Sequence, residues 1–114
     1  MAREADASIL HKNFCDYFDL AEQALHQKKY NPCVVLFFKA IGAAADLLIL
    51  KTAGRVPSSH AERFRMLSEE HQEAYTLLDK DYPFYHDSYT KELSEETAEV
   101  LKKDAQRLKK MLEE

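Results

Sequence analysis

CVVLFFKAIGAAADLLILKTAG, residues 33–54, is apolar on nearly every side and ends in a glycine, the residue that most often closes a helix. Such a helix must be surrounded by other helices or by lipid. Lys39 and Asp46 interrupt the run and no aromatic belt flanks it, so a membrane-spanning helix is the less favoured interpretation. We therefore expect a central core helix and no membrane partner.

The residues before this stretch predict its first neighbour. Asn31 followed by Pro32 is typical of a helix N-cap and first position, so the central helix is expected to begin there. Upstream, apolar residues recur every three or four positions from about Ala5 to Lys29, which predicts an amphipathic helix. The two helices then form a tight hairpin.

Two further helices follow from the same spacing, one from about His60 to Lys80 and one from Glu95 to Leu112. DYPFYHDSYTKEL, residues 81–93, is aromatic and contains a proline, which predicts a loop with a short helix. Its aromatic side chains can stack nucleic acid bases or cover the end of the bundle, and the second interpretation is favoured. The fold class is therefore all-α. We expect an up-and-down four-helix bundle with an extra short helix or loop between the third and fourth main helices, in a single domain, residues 1–114.

Charge and composition narrow the functional classes. The net charge of −4 argues against nucleic acid binding over the whole surface, yet residues 51–65 carry four bases against one acid. A local phosphate site and simply solvated helix ends explain that cluster equally well. The chain begins without a secretory signal pattern, so a cytoplasmic location and reduced Cys15 and Cys33 are expected. No His-x-x-x-His pair or Gly-rich loop is present, so we expect no metal and no cofactor.

GRVPSSHAERF, residues 54–64, carries the candidate chemistry. Ser59 and Glu62 match a capping box, which places His60 in the first turn of a helix, where the positive dipole end attracts phosphate. A histidine kept neutral there is suited to general-base catalysis, and Arg55 is suited to holding a phosphodiester oxygen. Local chemistry alone favours a simpler interpretation, in which the histidine is an exposed helix-start residue and the arginine caps helix carbonyls.

Three features together resemble the HEPN domain: an amphipathic first helix, an alanine-rich second helix, and an arginine separated by four residues from a histidine. The chain resembles the small stand-alone HEPN proteins of prokaryotes in its overall size and in the segment SSHAERFRML, residues 58–67. The resemblance covers essentially the whole chain and implies that Arg55 and His60 are catalytic. It also implies a homodimer in which two such motifs meet, metal-independent cleavage of RNA, and a minimal nucleotidyltransferase as antitoxin partner.

Two functions stay open. The first is a dimeric ribonuclease toxin. The second is a catalytically inactive HEPN module that binds the nucleotidyltransferase or a nucleotide. The arginine-histidine spacing favours the first, whereas Val56 favours the second, because active members often place a polar residue directly after the arginine. Lys39 and Asp46 lie on one helical stripe and either reach solvent or line a site between subunits. The candidate RNA-binding or nucleotide-binding residues are Lys39, Asp46, Lys51, Ser59 and Arg63.

Overall fold

A computed structural model describes residues 2–114 and, in the first helix, the side chains from Glu4 onward. Within that range the chain forms five helices and no strand, so the all-α prediction is confirmed. The helices are α1 (Ala2–His26), α2 (Tyr30–Ala53), α3 (His60–Glu70), α4 (Gln72–Asp87) and α5 (Glu95–Glu113).

Helix α2 is the centre of the molecule, as its sequence predicts. It packs mainly against α1 and α5 and more narrowly against α3 and α4. By length and apolarity it could cross a membrane, but 78% of its most apolar stretch is buried inside the chain. Gly54 ends it with φ 76° and ψ 8°, a left-handed conformation that glycine adopts without strain. The self-contained core therefore accounts for the apolar character of residues 33–50.

The hairpin between α1 and α2 is confirmed, but Asn31 is not the N-cap. Helix α2 begins at Tyr30, after Lys28 has turned the chain with φ 61°, and Lys29 takes the cap position without a side-chain hydrogen bond. The Asn31 side chain instead reaches the segment between α4 and α5. Its Nδ2 donates to the carbonyls of Ser88 (3.0 Å) and Lys91 (2.7 Å), and its Oδ1 accepts from Leu93 N (2.9 Å).

The helix predicted from His60 to Lys80 is two helices. His71, with φ −137° and ψ 72°, separates α3 from α4 without any intervening loop, since its N–H bonds to Leu67 and its carbonyl accepts from Tyr75. The His71 ring also lies 2.9 Å from Thr52 Oγ1 near the end of α2. No glycine or proline marks this break, which explains why spacing alone missed it.

Residues 81–93, predicted to be a loop with a short helix, continue α4 as far as Asp87 and are not helical beyond it. Pro83 lies inside α4 and removes one backbone donor there. Aromatic packing offsets this cost: Tyr85 stacks on Phe38 of α2 with ring centres 4.8 Å apart, and Tyr82 meets Phe64 of α3 edge to face at 5.9 Å. The residues expected to cover the bundle end thus extend a helix over α2 and α3.

Candidate functional site

The N-terminus of α3 has the predicted cap at Ser59, but the glutamate of the predicted capping box bonds to Ser58 N instead of Ser59 N. Ser59 Oγ accepts a hydrogen bond from Glu62 N at 3.1 Å, so His60 is the first helical residue. The Glu62 carboxylate accepts from Ser58 N at 3.2 Å and from the Arg55 guanidinium at 2.8 Å. Those two hydrogen bonds, the arginine's first, lower the pKa of Glu62. Arg55 therefore closes the loop by pairing with the capping glutamate rather than with helix carbonyls.

Arg55 and His60 are not brought together within one chain. Arg55 lines a cavity of about 290 Å³ that also contains Arg65, between the end of α2 and α3. His60 lines a separate cavity of about 220 Å³ on the side of α2 that faces α4. We call the second one the His60 cavity; its lining residues are Phe38, Lys39, Gly42, His60, Arg63 and Tyr85.

The arginine that contacts His60 is Arg63, one helical turn further along α3. Its Nη1 lies 2.8 Å from His60 Nδ1. Its Nε and Nη2 bind both carboxylate oxygens of Asp46 on α2, at 2.7 and 2.9 Å. The side chains of Arg63 and Asp46 are only 17% and 11% exposed, so this bidentate pair is held away from solvent. His60, Arg63 and Asp46 thus form one connected polar chain.

This contact fixes the tautomer of His60. A guanidinium can only donate, so Nδ1 of His60 is the acceptor and a neutral ring carries its proton on Nε2. The pKa of His60 is lowered, first by burial of the ring, then by the charge of Arg63, with Lys39 acting in the same direction and Asp46 against them. His60 is therefore a neutral hydrogen-bond donor at neutral pH, whereas a general base needs a free ring nitrogen.

The remaining walls of the His60 cavity are cationic and aromatic. Lys39 is exposed at its rim and Tyr85 forms part of its lining. Gly42 faces the guanidinium, and a Cβ at that position would lie in ordinary contact with it, 3.8 Å from Arg63 Cζ. Lys39 lines this cavity and is exposed, whereas Asp46 is buried, does not line it and binds Arg63.

The other predicted binding residues lie elsewhere. Ser59 is occupied as the helix cap. Lys51 is exposed near the C-terminal end of α2, where it borders two cavities that do not contain His60. Two residues that line the His60 cavity, Phe38 and Tyr85, were not among the site residues predicted from the sequence. The aromatic run of residues 82–89 was the signal for Tyr85, but its helical phase could not be known without α4.

Neither cysteine forms a disulfide: Cys15 and Cys33 are both free thiols. Burial raises the pKa of the Cys33 thiol to about 11, which leaves it protonated and unreactive. Among the described side chains, no group of three histidine, cysteine or acidic residues is placed to hold a metal ion.

In comparisons with known proteins, no family model matches this sequence and no curated protein is significantly similar to it.

Proposed function

We propose that this chain is a HEPN-type bundle, four main helices up and down with a shorter one added, that binds a phosphate group of RNA or of a nucleotide in the His60 cavity. The contact between Arg63 Nη1 and His60 Nδ1 carries the proposal. It turns the free edge of the imidazole into an N–H donor beside two cationic side chains, Lys39 and Arg63.

Donors outnumber acceptors at this cavity. An arginine has more N–H groups than the contacts of Arg63 with Asp46 and His60 use, and Lys39 has no ion pair among the described residues. With Nε2–H of His60, these groups offer a phosphate several hydrogen bonds. Because Asp46 already balances the charge of Arg63, Lys39 supplies the net positive charge, and binding should weaken as salt rises.

Aromatic side chains beside the cavity provide surfaces for a base. Tyr85 lines it, and its hydroxyl lies 3.2 Å from that of Tyr89, whose residue is 73% exposed. Base stacking on such rings tolerates any sequence. A nucleotide or single-stranded RNA therefore fits this surface better than an inorganic anion alone.

The test is fluorescence anisotropy with a short labelled single-stranded RNA, with AMP as competitor. His60→Ala and Lys39→Ala should each weaken binding by about tenfold, the loss expected for one charge-assisted hydrogen bond. His60→Gln should retain most of the affinity, because the glutamine amide places an N–H close to the position of imidazole Nε2.

Two matched controls complete the design. Lys51→Ala removes another exposed lysine of α2 that lies away from the cavity, and Arg55→Ala removes the arginine that pairs with Glu62. Both should leave the affinity unchanged. Equal losses for Lys39→Ala and Lys51→Ala would point to nonspecific attraction and contradict the proposed cavity.

A metal-independent ribonuclease is the second candidate, favoured by one observation: a neutral histidine lies between two cations, Lys39 and Arg63. RNA cleavage needs a base for the ribose 2′-OH and cations for the developing phosphorane charge. For His60 to be that base, Arg63 must first leave Nδ1. A two-fold dimer that brings in Arg55 from the second copy would supply a further cation for the phosphorane charge.

Cleavage in EDTA separates the two candidates. A ribonuclease should lose activity and growth toxicity in His60→Ala, Arg55→Ala and His60→Gln alike, since glutamine cannot accept the proton. Wild-type protein that binds RNA and leaves it intact would support the binding function alone. In that case the predicted nucleotidyltransferase is a partner held by a non-catalytic module, and purification with the product of an adjacent reading frame tests it.

A further inference from the structure

Helices α4 and α5 bury a pair of carboxyl groups that the proposed function does not use. Asp81 of α4 is 0% exposed and Asp104 of α5 is 8% exposed. Neither oxygen of Asp81 has a hydrogen-bond donor. Lys80 Nζ lies 2.8 Å from Asp104 Oδ2, off the direction that a hydrogen bond requires, and 3.8 Å from Asp81 Oδ1.

One lysine cannot balance two buried carboxylates. An ionised carboxylate without a donor is strongly disfavoured in the protein interior, so one of the pair must keep its proton. Lys80 lies closer to Asp104, so Asp81 is the member that keeps the proton. Burial above all, and then the neighbouring Asp104 carboxyl, raises the pKa of Asp81 to about 8, and Lys80 opposes this shift.

The charged groups that act on Asp81 come from two helices only. Asp104 belongs to α5 and Lys80 to α4 itself. Helices α2 and α3 also pack against α4, but within residues 4–114 they contribute no charged group that shifts Asp81. The acid of α2 that is buried, Asp46, is bound by Arg63.

We propose that Asp81 and Asp104 form a proton-dependent clasp between α4 and α5: the pair holds one shared proton at neutral pH, and losing it puts two like charges across the interface and loosens it. Tyr82, the next residue of α4, packs against Phe64 and lies 6.5 Å from the ring of His60. The clasp therefore acts on the helix that borders the His60 cavity, but it does not depend on what that cavity binds.

Linkage gives the sign of the effect. An unfolded aspartate titrates near 4, whereas Asp81 in the folded chain titrates at about 8. Between these values the folded state binds one proton more than the unfolded state, so the stability of the fold falls as pH rises. The stabilising contribution is complete below about pH 4 and fully lost above about pH 8.

Asp81→Asn tests the clasp, because an amide has nearly the shape of a carboxyl group and carries no charge at any pH. We expect wild type and variant to melt at similar temperatures near about pH 4.5, with the variant gaining steadily and melting at least about 5 °C higher by about pH 8.5. Above that pH the difference should stay constant. Asp79→Asn, an exposed neighbour on the same helix, should show no such pH-dependent difference from wild type.

A direct titration keeps the proposal testable if the variant does not fold. The carboxyl carbon-13 signal of Asp81 in the wild-type protein should titrate with a midpoint near about pH 8. A midpoint near about pH 4 would overturn the clasp, as would a melting difference between wild type and Asp81→Asn that does not change with pH.

Discussion

At the scale of single residues, the identity of one contact decides what His60 can do. The imidazole meets Arg63, one turn along its own helix, instead of Arg55 across the loop. Asp46 binds the other two guanidinium nitrogens of Arg63, Nε and Nη2, and so restrains the arginine beside Nδ1. The neutral ring of His60 can therefore donate a hydrogen bond through Nε2–H. To accept a proton as a general base, it must first lose the contact between Nδ1 and Arg63.

Replacing either of the two glycines by alanine should change the stability of the fold, but in opposite directions. Gly42 lies within α2, and a Cβ there would meet only ordinary contacts at 3.8 Å, so Gly42→Ala should stabilise the fold by about 0.5–1 kcal/mol. Gly54 has φ 76°, and Gly54→Ala should destabilise it by about 1 kcal/mol. Urea unfolding of both variants measures the pair. Destabilisation by Gly42→Ala would show that the close approach of Arg63 tolerates no methyl group.

At the scale of elements, Asn31 joins the start of α2 to the segment that leads into α5. Three hydrogen bonds cross 57 to 62 positions of sequence to Ser88, Lys91 and Leu93. They hold the turn in which Tyr89 lies, directly after α4. One side chain therefore sets the position of both the α4 end and the exposed tyrosine beside the His60 cavity.

Asn31→Ala should cost about 2 kcal/mol, since it leaves the Leu93 N–H and two carbonyls without their partner. The Leu93 amide should also exchange faster with deuterated solvent than in the wild type. Asn13→Ala on α1 is the control; it removes an asparagine without a hydrogen bond of this kind and should change stability by less than about 0.5 kcal/mol. Equal costs for the two variants would mean that Asn31 only fills space.

At the scale of the whole molecule, burial of α2 within the chain argues against a dimer through α2, whereas exposed apolar residues on α1 favour a dimer through α1. A helix as apolar as α2 favours a homodimer if its small neighbours leave part of its surface uncovered, yet most of that surface is buried within the chain. Helix α1 does expose Ile9 and Leu20, at 58% and 49%. Eleven positions are about three turns, so both side chains lie on one face of α1.

We therefore expect a two-fold dimer to form through α1. Light scattering at tens of micromolar should give about twice the 13.2 kDa of one chain, and Leu20→Asp should return the mass to that of a monomer. Asp19→Asn, a change at the neighbouring exposed position, should leave the mass as it is. Wild-type protein at 13.2 kDa throughout would exclude the composite ribonuclease site and leave phosphate binding by one chain.

The sequence by itself determined the features that depend on near neighbours. Helical periodicity, the central place of α2, the cap at Ser59 and the helix end at Gly54 all arise from residues within one or two turns of each other. Only the tertiary structure decided the break at His71, the partners of Asn31, the pairing of Arg63 with Asp46 across 17 positions, and the burial of Asp81 against Asp104. These depend on how helices are rotated against one another, and a local pattern does not fix that rotation because each helix can present several faces to its neighbour.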